Sequence, residues 1–335
     1  MTTSRDTLSL DTAVYQPKFG RPEDIVEYSH TLPMEHLSEA LGIGRIVVAE
    51  AFHPVVADAR SLEVFQDKLV EERRSAHGVT FGRLLGAHRL GEKGKVRHAE
   101  SLPVALKPFS SPEDAVSEMR GYTTLRELGV PTFEPVGIFP AATGRHVVSM
   151  TVKNNGLVSL DRNKWVVGRA VDSEQTMLQA EHNNRQVKGI AETLAYIHAH
   201  GVFHPDGQIK NYVANAGDKI GVIDTEKQIT RPLGDENIAG LAWEDMEQLV
   251  ASLVIDNLAE ETGKTFGVGM LAHLPLHVVR SSIEELIIHP YLARLEGMLD
   301  EAGPAQANQI EMLYDGLVEK FYNDETWPQH LIDAN

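Results

Sequence analysis

Cysteine is absent from the 335 residues of this chain. Its absence excludes disulfide bonds and every metal site built from thiolates, and it is compatible with a reducing cytoplasm. Long apolar runs are missing too, since none approaches the roughly 20 residues that span a bilayer. Residues 1–20 lack the apolar core of a secretory signal. We therefore expect a cytoplasmic protein without a membrane segment.

Basic residues are few, with 31 Lys and Arg against 48 Asp and Glu, which gives a formal net charge of −17. A field of this sign repels phosphate backbones and anionic membranes, so we expect neither nucleic acid nor membrane among the partners. The apolar content of 42% is sufficient for buried cores, and the chain length predicts about two domains or lobes. No internal repeat or low-complexity tract is present.

The first half of the chain has mainly strand signals. The segment SLEVFQDKLVEERRS (61–75) predicts a helix, whereas the glycine-rich region 78–94 predicts a strand, a loop and another strand. LPVALKPF (102–109) predicts a buried strand that carries one lysine, Lys107. EPVGIF and RHVVSMTV, joined by PAATG, predict an antiparallel hairpin.

One helix and one boundary are well marked in this half. Ser111 can cap a helix that has Pro112 in its first turn and stops at Gly129. KNNG (153–156) breaks the pattern and predicts a boundary.

The second half has helical periodicity. In NRQVKGIAETLAYIHAHG, four apolar residues fall on one helix face, Val187, Ile190, Leu194 and Ile197. LAWEDMEQLVASLV and NQIEMLYDGLVEKFY predict two further amphipathic helices. The predicted domains are an N-terminal extension (1–75), a strand-rich lobe (76–152) and a mainly helical lobe (153–335).

The segment HPDGQIKN (204–211) places polar groups between two apolar runs. His204, Asp206 and Asn211 fit the pattern H-x-D-x-x-x-x-N, and Asp224 ends the apolar run KIGVID. Phosphoryl transfer needs a carboxylate that orients or deprotonates the acceptor hydroxyl, and oxygen ligands such as Asn and Asp that hold magnesium. A buried lysine such as Lys107 could supply a fixed cation for the phosphates.

These motifs resemble the protein-kinase-like superfamily, nearest to aminoglycoside phosphotransferases and the bacterial sugar and lipopolysaccharide kinases. The resemblance covers about residues 78–255. It implies an α+β, two-lobed fold, with a small antiparallel-sheet N-lobe that has one main helix, and a mainly helical C-lobe. It also implies binding of ATP and Mg²⁺ and transfer of the γ-phosphate to a hydroxyl group.

The resemblance also implies roles for individual residues. VALK gives Lys107 as the phosphate-binding lysine, held in place by Glu118 of the following helix. HPDGQIKN gives Asp206 as the catalytic base and Asn211 as a metal ligand, and IDTE gives Asp224 as the principal metal ligand.

Two more sets of residues follow from the same resemblance. Backbone groups of Met150, Thr151 and Val152 are expected to meet the adenine. Asp245, in WEDMEQL, is expected to be a buried aspartate that braces the catalytic loop from below.

The departures from the family pattern keep alternatives open. Gln208 stands where a lysine is usual, for which Lys210 or Lys107 could partly substitute, and Thr225 and Glu226 replace Phe-Gly. No A-P-E motif and no clean G-x-G-x-x-G motif are present, and Pro205 argues against control by a phosphorylated activation loop. A pseudokinase that acts as a nucleotide-responsive binding module is therefore the alternative to an active kinase.

The acceptor is also open. It could be a protein hydroxyl (Ser or Thr) or a cationic small molecule. A toxin or regulator of the kinase type that modifies a cellular protein is a third possibility, which differs from the others only in its acceptor.

Two other interpretations concern single motifs. Taken alone, PDG (205–207) would be a plain surface turn. His198, His200 and His204 could suggest a transition-metal site, but residues two apart on a helix point in different directions. We expect His198 and His200 to be exposed at a helix end.

Overall fold

The computed structural model divides into two compact units, Met1–Glu127 with Thr132–Asn155, and Leu128–Pro131 with Gly156–Asn335. The domain boundaries that the sequence suggested, after residues 75 and 152, stay predictions. The structure describes residues 25–29, 31–49, 69–74, 79–85, 88–90, 96–98, 101–140, 146–151, 157–160, 174–215, 217–254, 258–259, 264–265, 271, 275–324, 327–329 and 331.

A seven-stranded sheet forms the basis of the first unit. The strands described in this unit are β1 (Ile25–Tyr28), β2 (Ile46–Ala49), β3 (Leu69–Arg74), β4 (Thr80–Leu85), β5 (His88–Leu90), β6 (Val96–His98), β7 (Ser101–Phe109), β8 (Glu134–Pro140) and β9 (His146–Thr151). The sheet order is β1-β2-β8-β9-β7-β4-β3, and β5 pairs with β6 separately. The pair β1 and β2 is parallel, whereas the other neighbours are antiparallel.

This sheet differs from the small antiparallel sheet that the sequence predicted. Residues 25–49, which belong to the predicted N-terminal extension, supply β1 and β2 and so widen the sheet at one edge. The same segment supplies a second helix, α1 (Met34–Gly42). The motifs that carried the resemblance begin at residue 78, so they could not reveal these added elements.

The predicted helix over residues 61–75 is wrong for its second half, since Leu69–Arg74 is strand β3. Residues 61–68 lie outside the described residues. β3 pairs with β4 in an antiparallel ladder with a register shift between Glu71 and Arg73. Pairing within a sheet overrides the helix preference of glutamate and arginine, because propensity is a weak prior against tertiary contacts.

The main helix of the first unit, α2 (Pro112–Glu127), confirms the predicted start and stop. The Ser111 hydroxyl accepts a hydrogen bond from the Asp114 backbone N–H at 3.0 Å. Gly129 follows the helix with φ of +73°, the left-handed conformation that glycine adopts without steric cost. The face of this helix that packs against the sheet includes Glu118, which is fully buried.

The second unit is mainly helical. Its described helices are α3 (Glu174–Ala199), α4 (Ile238–Val254), α5 (Leu276–Ile283), α6 (His289–Leu299) and α7 (Pro304–Asn323), with a π-helical turn at Glu284–Ile288. Its described strands are short: β10 (Val158–Ser159), β11 (Val202–Phe203), β12 (Tyr212–Ala214), β13 (Ile220–Val222), β14 (Ile229–Thr230), β15 (Leu258–Ala259) and β16 (Lys264–Thr265). With the sheet of the first unit, these helices confirm the α+β class.

The core of the second unit forms around α3. The four apolar residues predicted to share one face, Val187, Ile190, Leu194 and Ile197, are all fully buried. Gly201 ends this segment with φ of +74°. None of the helices that the structure describes combines the length and the apolar content needed to cross a membrane.

A close backbone contact generates a stability prediction. A Cβ at Gly221 would lie 1.9 Å from the carbonyl oxygen of Pro131, whereas a Cβ at the helical Gly297 would meet nothing within 4 Å. Gly221→Ala should lower the free energy of unfolding by about 3 kcal/mol, because backbone must move to admit the methyl group. Gly297→Ala should raise it by about 0.5–1 kcal/mol.

Urea denaturation followed by circular dichroism measures both effects. Equal unfolding midpoints for Gly221→Ala and the wild type would contradict the close packing of β13 on residues 128–131.

Candidate functional site

The residues that the sequence singled out lie in both units, and each unit is described by itself. In the first unit, Lys107 lies on β7, which has β4 and β9 as its neighbours in the sheet. Its Nζ is 3.2 Å from Oε1 of Glu118 on α2. The hydroxyl of Tyr122, one turn further along that helix, donates to the same Oε1 at 2.8 Å.

The predicted pairing of Lys107 with Glu118 is therefore present. Glu118 is fully buried, while the Lys107 side chain is 17% exposed. A buried carboxylate needs a partner of opposite charge and further hydrogen bonds, and Lys107 and Tyr122 supply them. The arrangement fixes the direction of the lysine side chain, which is partly exposed. Phosphate binding by Lys107 stays a prediction.

The residues predicted to meet adenine are only partly described. Met150 and Thr151 end strand β9, where Met150 pairs with Ala105 and Thr151 with Val104 of β7. Val152 and the boundary KNNG (153–156) lie outside the described residues. The role of this segment in nucleotide binding stays a prediction.

In the second unit, the segment 204–211 forms a loop that ends in a 3₁₀ turn, Ile209–Asn211. The amide nitrogen Nδ2 of Asn211 donates to the backbone carbonyl of Asp206 at 2.7 Å. A carbonyl oxygen accepts and cannot donate, so this bond fixes which end of the amide faces Asp206. Oδ1 of Asn211 accepts no hydrogen bond from the part of the chain that the structure describes, and it is the atom that could bind a cation.

The antiparallel pair β12–β13 brings Asp224 to the end of this loop. Tyr212 pairs with Val222, and the Ile223 backbone N–H donates to the Asn211 carbonyl at 2.8 Å. Asp224 therefore follows directly after a residue that is hydrogen-bonded to Asn211. It has φ of 65° and ψ of 57°, a left-handed conformation that is uncommon outside glycine and tends to occur at functional turns.

The buried aspartate expected beneath the loop is confirmed. Asp245 on α4 is fully buried, and its Oδ2 accepts a hydrogen bond from the backbone N–H of His204. The same oxygen is 2.9 Å from Nε2 of His198, whose Nδ1 is 2.8 Å from the hydroxyl of Tyr291. The Asp245 carboxylate thus joins α4, the end of α3 and the start of the loop.

The expectation that His198 is exposed is wrong. Its side chain is fully buried, and its ring stacks on Phe203 with centroids 5.1 Å apart. The sequence pattern gave the end of the helix but not the aspartate 47 residues later that satisfies the imidazole. His200 is half-buried and has its Nδ1 2.7 Å from the Tyr196 carbonyl. Within the described ranges, no group of three metal-ligating side chains includes these histidines or His204.

Gly207 holds the loop close to α4, which sequence reasoning missed. A Cβ at this position would lie 2.7 Å from the backbone carbonyl oxygen of Asp245 and 3.4 Å from the hydroxyl of Tyr212. A side chain there would push the loop away from the helix. The glycine that follows Asp206 is thus required by packing.

Lys227 is a second residue that the sequence did not single out. It lies in the 3₁₀ turn Thr225–Lys227, and its Nζ is 3.8 Å from Oδ2 of Asp206. Lys210, which the sequence offered as a substitute for the missing lysine at position 208, forms no ion pair with a described residue. The signal in the sequence that could have indicated Lys227 was its position three residues after Asp224.

His204 is close enough to several carboxylates of this region for their charges to act on its pKa. Burial lowers the pKa of its imidazole, and this effect outweighs the nearby carboxylates of Asp245, Asp206 and Asp224, which act in the opposite direction. Neither ring nitrogen has a hydrogen-bond partner among the residues with described positions. The imidazole is therefore neutral when the protein is folded at neutral pH.

No protein-family model matches this chain, and a search of the curated proteins finds no match.

The lowered pKa of His204 predicts a loss of stability in acid. The unfolded chain has the ordinary histidine pKa of about 6.5, so below that pH it binds a proton that the folded state binds only at lower pH. The contribution of His204 to the free energy of unfolding should therefore be fully present above pH 6.5. Below that pH the free energy of unfolding should fall, by at most about 1.4 kcal/mol per pH unit from this group.

Urea denaturation at several pH values between about 7 and 5 tests this expectation. His204→Gln should have a shallower dependence on pH than the wild type, whatever its absolute stability. His277→Gln, at an exposed position, should keep the wild-type slope. An unchanged slope in His204→Gln would contradict the assignment.

Proposed function

We propose that this chain has a kinase-like fold and is an ATP- and magnesium-dependent phosphotransferase that transfers the γ-phosphate to a hydroxyl group. The observation that carries the proposal is the orientation of the Asn211 amide. Its Nδ2 is held by the Asp206 carbonyl, and the Asn211 carbonyl is bonded to Ile223, next to Asp224. The loop and the end of β13 thus supply Asp206 as a candidate catalytic carboxylate, and Asn211 and Asp224 as oxygen ligands of the type that magnesium binds.

The chemistry of these side chains fits the metal. Magnesium prefers hard oxygen ligands and retains several waters, so an amide oxygen and a carboxylate are sufficient protein ligands. Asn211 would contribute Oδ1 and Asp224 its carboxylate. When bound, magnesium neutralises charge that develops on the phosphate oxygens.

Asp206 is the group that would act on the acceptor. It would orient the acceptor hydroxyl and take its proton, while the acceptor oxygen forms a bond to the γ-phosphorus. The bond from that phosphorus to the β–γ bridging oxygen breaks, and its electron pair leaves with ADP. Lys107, held by Glu118, would bind the α- and β-phosphates. Positioning and electrostatic stabilisation account for catalysis, and no covalent enzyme intermediate is required.

The overall charge bears on the acceptor. A net charge of −17 favours a cationic or neutral substrate, such as a basic protein segment with Ser or Thr, or a cationic small molecule. This long-range field does not select between the two classes.

A pseudokinase is the second candidate. The residue two positions after Asp206 is Gln208, not lysine, and Asp224 is followed by Thr225 and Glu226. These replacements favour a nucleotide-responsive binding module. The presence of Lys107, Asp206, Asn211 and Asp224 together favours activity, because a module without catalysis has no physical need of all four.

Intact-mass measurement after incubation with Mg–ATP tests transfer to protein hydroxyls. We expect a phosphate mass increment in the wild type, and none in Asp206→Asn or Asp224→Asn. Asp300→Asn, a substitution at an exposed position after α6, should behave as the wild type. An increment shared by all three variants would contradict the assigned roles.

Thermal stabilisation by Mg–ATP separates the remaining cases. Nucleotide at a hundred times its dissociation constant should add about 2.7 kcal/mol of stability to a protein that binds it. Stabilisation without a mass increment would leave a small-molecule kinase or a pseudokinase. If Mg–ATP neither modifies nor stabilises the protein, the proposed function is wrong.

A further inference from the structure

The contact between Lys227 and Asp206 is the feature that the proposed mechanism does not use. The two charged atoms, Nζ and Oδ2, are 3.8 Å apart. This separation is within the range of an ion pair but is too long for a hydrogen bond. The ammonium group of Lys227 therefore keeps its three N–H donors for other acceptors, while it lies beside the carboxylate that would act on the acceptor hydroxyl.

A purely structural role accounts poorly for this lysine. Its side chain is 62% exposed, and ion pairs with exposed partners contribute little to stability because water and salt screen them. The backbone of the same turn is stabilised independently, since the Gln228 N–H donates to the Thr225 carbonyl at 3.0 Å. Lys227 can thus be changed without dismantling the turn that follows Asp224.

The charges of the loop favour a cation at this point. Asp206 and Asp224 are both acidic, and the γ-phosphate of a nucleotide adds further negative charge. Transfer of a phosphoryl group places that charge near the catalytic carboxylate, where a fixed cation lowers the barrier. Gln208, the residue two positions after Asp206, is neutral. Among the described residues, Lys227 is the cation that forms an ion pair with Asp206.

We propose that Lys227 is a catalytic residue that binds the γ-phosphate and stabilises its charge during transfer, in place of a lysine at position 208. The inference rests on the proposed function and adds a specificity to it. Because ADP lacks the γ-phosphate, Lys227 makes this site prefer ATP to ADP. Residues 224–227 then carry two successive functions, a metal ligand at Asp224 and a phosphate ligand one helical turn later.

Affinities for Mg–ATP and Mg–ADP, measured by isothermal titration calorimetry, test this directly. We expect the wild type to prefer Mg–ATP. Lys227→Met should lose about tenfold of that preference, because one charge-assisted hydrogen bond is removed, while its affinity for Mg–ADP is unchanged. Lys227→Arg keeps the charge and should retain most of the preference.

Two other lysines serve as matched variants. Lys219 is exposed in the turn between β12 and β13, and Lys219→Met should bind both nucleotides as the wild type does. Lys210→Met tests the competing position in the loop. Loss of the preference in Lys210→Met but not in Lys227→Met would overturn the proposal, and so would an unchanged ratio of affinities in Lys227→Met.

The outcomes also separate this inference from the proposed function. A wild type that binds Mg–ATP and Mg–ADP equally would overturn the role of Lys227 and leave the nucleotide site standing. A wild type that binds neither nucleotide would overturn both. Where transfer is detected, Lys227→Met should lower kcat by about tenfold or more, since the charge on the phosphate is greatest during transfer.

Discussion

The carboxylate of Asp245 is the group on which the architecture of the loop depends. It is fully buried, and one of its oxygens accepts from the His204 backbone and contacts the His198 ring. A buried polar group is costly unless hydrogen bonds satisfy it, so these contacts offset the cost of burying the Asp245 side chain. The end of α3 and the start of the loop, which are neighbours in the chain, are thereby both fixed to α4.

The loop is held at its other end by backbone and amide hydrogen bonds. Asn211 binds the Asp206 carbonyl with its side chain and Ile223 with its own carbonyl. Asp206 therefore lies between two anchored points and does not need to be buried itself. Its backbone is anchored while its side chain stays 17% exposed, which is compatible with the general-base role proposed for it.

In the first unit, too, a buried carboxylate lies beside a more accessible group, which there is a lysine. There the buried group is Glu118, and the accessible one is Lys107, which is held 3.2 Å away. In each unit a buried carboxylate is inaccessible to a substrate.

The sequence alone determined the elements whose signals are local: the capped helix after Ser111, the apolar face of α3 and the α+β class. It also identified the Lys107–Glu118 pair through a motif resemblance. Only the tertiary structure decided that residues 69–74 form a strand, that His198 is buried and that Lys227 pairs with Asp206. Each of these depends on a partner distant in the chain or in a different element. Local periodicity and propensity do not encode such pairings, because burial and charge partners are set when the chain packs.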